Sequence, residues 1–340
     1  MPSTLSDADR AAAVALAAVF QPGQRVCLTT HVNPDGDGLG SEVGLAYLLR
    51  ARGLEVSVTN PTPTPARFQF LFDGLPGVDR TSEAVKEIRR ADVIAVLDIS
   101  ELGRLGMLAE AVQERGVPVA CIDHHVSQGA LPPGPRYVDP TASATGELVF
   151  EVALANGWEI GRAAARALYV ALLTDTGGFR FSNTHPRTLR IAAELLETGL
   201  DPEGIYLDVY ARAPEGRPRL LAEALQTLVV EPEVGLAWVT VPPGAVERFG
   251  LTSDDLDGVV EYPRSVDGVR MALLFREVSA GRVKVSLRSV GSVDVAAFAR
   301  QFGGGGHTKA AGLAVVGSLA EVQATVLAAA RTYLAGNGRP

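Results

Sequence analysis

Val117-Pro118-Val119-Ala120-Cys121-Ile122-Asp123-His124-His125 runs from apolar, β-branched residues straight into one acid and two imidazoles. A short unbroken apolar run of this kind is the pattern of a strand buried on both faces. The change of chemistry at Asp123 marks its carboxyl end. The pattern occurs twice upstream: Arg25-Val26-Cys27-Leu28-Thr29-Thr30 reads as a strand ending at His31, and Asp92-Val93-Ile94-Ala95-Val96-Leu97 as one that stops at Asp98. These runs predict an open parallel sheet in an α/β fold, where ligands gather at the carboxyl ends of the strands. His31, Asp35, Asp37, Asp98, His124 and His125 would then share one rim, a set suited to a binuclear metal site.

The segment after the first strand is built for that purpose. In His31-Val32-Asn33-Pro34-Asp35-Gly36-Asp37, Pro34 and Gly36 permit a tight turn, and Gly36 leaves Asp35 and Asp37 free to face different cations. Taken alone, it also reads as an Asp/Gly turn with solvated carboxylates; three strand ends carrying ligand chemistry outweigh that reading. A helix is expected from Ser41 to Arg50. A fourth candidate ligand is Asp175, where a helical run from Ala167 ends before Gly177 and Gly178. A carboxylate there sits at the unfavourable end of the helix dipole, which a cation would offset.

No side-chain nucleophile has convincing context, since Ser41, Ser100 and Ser127 lack the flanking glycines of a nucleophile elbow. Cys27 and Cys121 lie inside apolar runs and read as core residues. Two cations sharing a hydroxide would need no such group for phosphate-ester hydrolysis.

Further along, Val269 to Glu277 and Arg282 to Ser289 predict a hairpin turning at Ser279-Ala280-Gly281. A helix from Val293 to Phe302 then leads into a loop of four glycines, 303 to 306, followed by His307 and Lys309. Bare backbone N–H groups in such a loop favour anions; a flexible linker is the plainer alternative.

With these stretches in place, the chain resembles the DHH phosphoesterase superfamily, in the branch of bacterial oligoribonucleases that also dephosphorylate 3′-phosphoadenosine 5′-phosphate. The resemblance rests on His31 to Asp37, Val96-Leu97-Asp98, Ile122-Asp123-His124-His125 and Thr174-Asp175-Thr176-Gly177, then on Phe302 to His307 and Ala310-Ala311-Gly312. It implies a parallel-sheet DHH domain with flanking helices, joined by a helical linker to a smaller α/β DHHA1 domain. It also implies one ion on His31, Asp35 and Asp98, and a second on Asp37, Asp98, His124 and Asp175, with Asp98 as the bridge. Asp123 would stand behind the ligands and orient the histidines. His125 would help to position or protonate a phosphate oxygen. The implied metal is Mn²⁺, with Mg²⁺ or Co²⁺ as alternatives. Arg288 would bind substrate with Gly304, Gly305, Gly306 and His307, and with Arg264 and Lys309 in lesser roles. The chain departs from the family pattern at Lys309 and Gln128, where relatives usually carry Asn.

The implied substrates are single-stranded RNA dimers to pentamers, cut to nucleoside 5′-monophosphates, and 3′-phosphoadenosine 5′-phosphate. A cyclic- or linear-dinucleotide phosphodiesterase would use the same motifs, and a non-catalytic nucleotide sensor is disfavoured because all six ligands are present. An inorganic pyrophosphatase fits less well because of the glycine loop. Relatives in this superfamily are often homodimers.

Composition agrees with this reading. The chain has 340 residues, 47% of them hydrophobic, enough for two cores. We expect a catalytic domain over 1–186, a linker over 187–216 hinged at Ala213-Pro214-Glu215-Gly216, and a substrate domain over 217–340. A net charge of −8 argues against a broad nucleic-acid surface but leaves room for short oligonucleotides. Two cysteines, no targeting signal and no apolar stretch of bilayer length predict a cytoplasmic location without membrane contact.

Overall fold

The three apolar runs lie side by side in a parallel sheet. In a computed structural model, which describes residues 5–99, 101–126, 134–279 and 281–336, the chain forms two compact units, Met1–Arg212 and Ala213–Pro340. The first contains β1 (Arg25–Thr29), β2 (Glu55–Val58), β3 (Val93–Leu97), β4 (Val119–Asp123) and β5 (Arg136–Val138) in the order β2-β1-β3-β4-β5. Every pairing is parallel. The chain runs outward from β1 to β2 and returns to the other side of β1 as β3. The switch point therefore falls between the carboxyl ends of β1 and β3, where His31 and Asp98 follow.

Helices α1 (Asp7–Ala17), α2 (Gly36–Ala51), α3 (Ala84–Arg90), α4 (Ala109–Glu114), α5 (Thr145–Ala155), α6 (Arg162–Asp175), α7 (Pro186–Glu197) and α8 (Pro202–Tyr206) complete this unit. Helix α2 begins at Gly36, five residues before the expected Ser41, so Asp37 lies in its first turn rather than on turning backbone. The cause is Asp35, whose carboxylate caps the helix by accepting from the N–H groups of Asp37 and Gly38. The glycines that suggested a loop instead serve packing. A Cβ at Gly36, Gly40 or Gly44 would stand 2.5 Å from Thr174, the Ala167 carbonyl or Leu168 respectively. One glycine per helical turn thus lets α2 and α6 approach closely and brings Asp37 towards Asp175.

Ile191, Ala192 and Leu195 of α7, together with Ile205 and Val209, belong to the core of the first unit. The stretch expected as the helical linker is therefore packed into that unit as far as Arg212. Cys27 and Cys121 are buried, and burial pushes both thiols up to about 12.

The second unit is a mixed sheet of β6 (Val229–Glu231), β7 (Leu236–Thr240), β8 (Met271–Ser279), β9 (Arg282–Ser289), β10 (Gly305–His307) and β11 (Ala310–Val316), ordered β10-β11-β9-β8-β7-β6. Its helices are α9 (Gly216–Leu225), α10 (Ala245–Arg248), α11 (Glu261–Arg264), α12 (Val295–Arg300) and α13 (Leu319–Gly336). The β8/β9 hairpin is the one its alternation predicts, with Val283, Val285 and Leu287 buried with Phe298 of α12 and Val326 of α13. The four-glycine segment departs from the expected loop, because Gly305–His307 pairs with β11 as an edge strand. A Cβ at Gly304 would sit 2.3 Å from the Gly312 carbonyl, and one at Gly306 2.5 Å from that of Ala310. Close approach of two backbones explains these glycines without an anion.

Candidate metal centre

His31 and His124 are each anchored through one nitrogen and present the other. His31 Nδ1 lies 3.0 Å from the Val32 carbonyl, and His124 Nδ1 lies 3.2 Å from that of Ala142. A carbonyl only accepts, so both Nδ1 atoms carry a proton and both Nε2 atoms point inward, where each can ligate a metal once its own proton is lost. His31 Nε2 is 3.3 Å from Asp98 Oδ2 and 3.7 Å from Asp35 Oδ2. His124 Nε2 is 3.5 Å from Asp98 Oδ1, 3.6 Å from Asp37 Oδ2 and 3.7 Å from Asp175 Oδ2. Asp98 thus offers one oxygen to each histidine. It does so from a left-handed backbone conformation, φ 59°, which aims its side chain between the two strand ends. Its N–H, bonded to the Ile122 carbonyl, joins the end of β3 to that of β4.

The ligand atoms fall into overlapping groups, His31/Asp35/Asp98, Asp37/His124/Asp175 and Asp98/His124/His125, each within 4.8 Å, that could hold metal ions. Two observations test the fit. The His31 Nε2 atom is buried and hydrogen-bonds to nothing, although carboxylate oxygens stand around it. Among the described residues, no lysine or arginine is within ion-pair distance of Asp35, Asp37, Asp98 or Asp175. Three of these four carboxylates are largely buried, Asp35 being half-exposed. Mixed imidazole and carboxylate donors with this uncompensated charge suit divalent cations.

The electrostatics of the protein groups reflect that crowding. Burial and repulsion by Asp98 hold Asp37 well above the usual carboxylate range, against the pull of His124. Burial likewise pushes Asp175 up to about 7. Asp98 goes the other way: burial opposes its charge, but the imidazoles of His124 and His31 beside it keep it ionised. His31 rises to about 11 despite burial, because Asp35 and Asp98 favour its cation, and His124 rises for the same reason.

Residues outside the expected set hold the cluster in place. Helix α5 has no side-chain cap of its own at Ala144. Asp37 takes that part from another element, accepting the Thr145 N–H at 2.7 Å and the Gly146 N–H at 3.0 Å. The Thr145 hydroxyl donates to Asp98 Oδ1 at 3.1 Å, and the Ser41 hydroxyl to Asp37 Oδ1 at 3.1 Å. Asn183 donates to the carbonyls of Ser143 and Asp175, tying the last ligand to the turn before α5. Behind the ligands, Asp123 Oδ1 accepts from His125 Nδ1 at 2.7 Å, and Arg104 Nη1 donates to His125 Nε2 at 3.4 Å. Small polar residues from Thr141 to Gly146 before an apolar helix mark a helix start in the sequence. Nothing in the spacing points to Asn183 or Arg104.

In the second unit, Glu261 joins two of the expected substrate arginines. Its Oε1 accepts from Arg288 Nε at 2.8 Å, and its Oε2 pairs with Arg264. Lys309 donates its ammonium to the carbonyls of Gly291 and Val293, and so closes a turn. His307 lies in β10, but its side chain, like Ser127 and Gln128, lies outside the described residues.

A strand-end cluster of imidazoles and carboxylates on a parallel sheet, with a separate mixed-sheet unit following it, is the arrangement of a DHH-type phosphoesterase. The chain matches the DHH family N-terminal domain over residues 25–172 and the DHHA1 domain over 237–336. It belongs to the DHH/DHHA1 phosphoesterase family. It is 34% identical over 323 residues to the bifunctional oligoribonuclease and PAP phosphatase NrnA of Thermus thermophilus, covering 92% of this chain and 91% of that one. It is 28% identical to NrnA of Bacillus subtilis over 85% and 89% of the two chains. An exopolyphosphatase-related protein from Bacteroides fragilis has a similar structure, with a TM-score of 0.90 at 28% identity over 98% and 99% of the chains. Among the described residues, no helix is long and apolar enough to cross a membrane.

Proposed function

We propose that this phosphoesterase hydrolyses very short oligoribonucleotides to nucleoside 5′-monophosphates and 3′-phosphoadenosine 5′-phosphate to AMP. The observation that carries the reading is Asp98, whose two oxygens face two different histidines inside a group of carboxylates that no lysine or arginine of the described residues pairs with. The likeness to oligoribonuclease and PAP phosphatase enzymes over nearly the whole chain supports the substrate class.

In this reading His31, Asp35 and Asp98 hold one divalent cation and Asp37, Asp98, His124 and Asp175 a second. Mn²⁺ is the ion of choice, and Mg²⁺ or Co²⁺ would be accepted. Such cations would make a water acidic enough to attack at neutral pH and would offset charge on the phosphate. The protein's part is to hold the ligands in register: Thr145 and Gly146 fix Asp37, Asn183 fixes the Asp175 loop, and Asp123 orients His125, which contacts the phosphate. Residues 1–186 form the catalytic domain, 187–216 the connection and 217–340 the substrate domain. Arg288 is steadied by Glu261, and among the described residues its Nη2 meets no partner and is placed for a phosphate oxygen. His307 and the backbone of Gly304 to Gly306 lie near it in the sheet through β11, which pairs with both β9 and β10. Buried, unreactive thiols suit the reducing cytoplasm, where such RNA fragments arise.

The test is Mn²⁺-dependent turnover on RNA dimers to pentamers, a long RNA, 3′-phosphoadenosine 5′-phosphate, cyclic di-AMP and pyrophosphate. Release of 5′-monophosphates fastest from the shortest RNAs is expected. Preference for the cyclic dinucleotide would reassign the substrate, and silence on all of them with metal bound would leave a nucleotide sensor.

A further inference from the structure

Arg104 is the one charged residue of the 3₁₀ segment Leu102–Leu108. Leu102 and Leu105 are buried at the three-residue spacing of a 3₁₀ turn and fix its rotation ahead of the kink at Gly106, while Arg104 is left partly exposed. The main chain is pinned to the first ligand loop, since the Val32 N–H donates to the Arg104 carbonyl at 3.0 Å. Gly106 permits this approach: its φ is +52°, and a Cβ there would lie 2.8 Å from Val32 Cγ2. The side chain then reaches His125, where Nη1 stands 3.4 Å from Nε2.

A guanidinium only donates, so His125 Nε2 is the acceptor and the ring proton sits on Nδ1, donated to Asp123. Among the described residues, one N–H of the fork is used and the rest remain. The first unit gathers Asp35, Asp37, Asp98, Asp123 and Asp175 around the cluster. Among the described residues, Arg104 forms an ion pair with none of them, nor with any other acid. A cation held against an imidazole of the ligand cluster, with no carboxylate of its own, is placed for an anion that arrives from outside.

We propose that Arg104 binds the phosphate group whose ester is hydrolysed, so that the first unit carries a phosphate contact of its own, separate from Arg288. This rests on the phosphoesterase reading above. The planar fork can hold two oxygens of a phosphate through Nε and Nη2 while Nη1 stays on His125.

The test compares Mn²⁺-loaded wild-type protein with Arg104→Ala and Arg104→Lys, measuring bound Mn²⁺, thermal unfolding, affinity for inorganic phosphate by calorimetry, and dinucleotide turnover. Arg104→Ala should keep its metal content and unfolding temperature, bind phosphate at least about tenfold more weakly and lose about 100-fold in kcat/KM. Arg104→Lys should recover part of the phosphate affinity, and added guanidinium should raise turnover of Arg104→Ala but not of wild type. Wild-type phosphate affinity in Arg104→Ala would overturn the proposal, as would loss of Mn²⁺ together with phosphate, which would make Arg104 a support of the metal ligands. If wild type hydrolyses no nucleotide, the functional reading fails by itself, and phosphate binding still decides the role of Arg104.

Discussion

Helix α5 presses two groups of acids into the interior of the first unit, and they are solved differently. On one side Asp139, Glu147 and Glu151 converge on Arg187, whose nitrogens lie 2.8, 2.6 and 2.9 Å from them. Tyr137 donates to Glu151 at 2.6 Å, and Ser143 and Thr188 donate to Glu147. Strand β5, α5 and α7 are joined through that one arginine. On the other side Asp37, Asp98 and Asp175 face histidines and helix N–H groups, with no arginine or lysine of the described residues among them. The first group is complete as folded and serves stability. The second leaves its charge for something external to balance, and that incompleteness is what makes it a site.

The comparison is broken most directly by removing one member from each group. His124→Ala and Asp175→Asn should each reduce metal-dependent turnover by at least about 10³-fold, the scale expected when a metal site of this kind is lost. Chelator-treated Asp175→Asn should nonetheless unfold at or above the wild-type temperature at a pH of about 8. The reason is the sign of its shift: a carboxyl held at about 7 when folded opposes folding once ionised. Lower stability in that variant would mean that the carboxylate is satisfied without a cation.

Arg187→Met should do the reverse, lowering stability by about 3 kcal/mol because three acids lose their shared cation. Denaturant titration measures this, and kcat per folded molecule should stay close to wild type. A large loss of kcat at full folding would show that the two groups are coupled through α5.

The comparison is sharpened by protons. His31, held at about 11, must lose a proton before Nε2 can ligate, and His124, Asp37 and Asp175 are raised too, so Mn²⁺ affinity should rise at least about tenfold per pH unit between about 6 and 8. Calorimetry in two buffers of different ionisation enthalpy would detect the released protons, and identical heats would contradict the assignment of His31 as a ligand.

The smallest effect belongs to the complete group. Burial pushes Glu151 up to about 7 against the pull of Tyr137 and Arg187. A carboxyl raised in the folded state costs stability as pH rises from its ordinary range towards that value. Replacing it by Gln should flatten the decline in that window, read from unfolding free energies at several pH values.

The strand ends were legible because burial on both faces removes polar residues from a strand, so the first ligand type after it stands out. That reasoning reached His31, Asp98 and His124. It misjudged glycine twice, at Gly36 and at Gly304 to Gly306, because a glycine read as freedom of the backbone can equally be a place where another part of the chain must come close. It did not find Thr145, which caps onto Asp37 across 108 residues of chain, or Asn183, whose amide meets carbonyls from two different loops.

Alone, the residues determined the parallel α/β fold, the two-part organisation and which side chains could carry ligand chemistry, since periodicity and ligand type are properties of short stretches. Only the folded chain decided that Asp98 divides its oxygens between His31 and His124, that Asp37 caps α5, that Glu261 joins Arg288 to Arg264, and that Arg104 reaches His125. Each depends on atoms that sequence leaves far apart and packing brings within a few ångströms, where burial strengthens every charge and makes the presence or absence of one partner decisive.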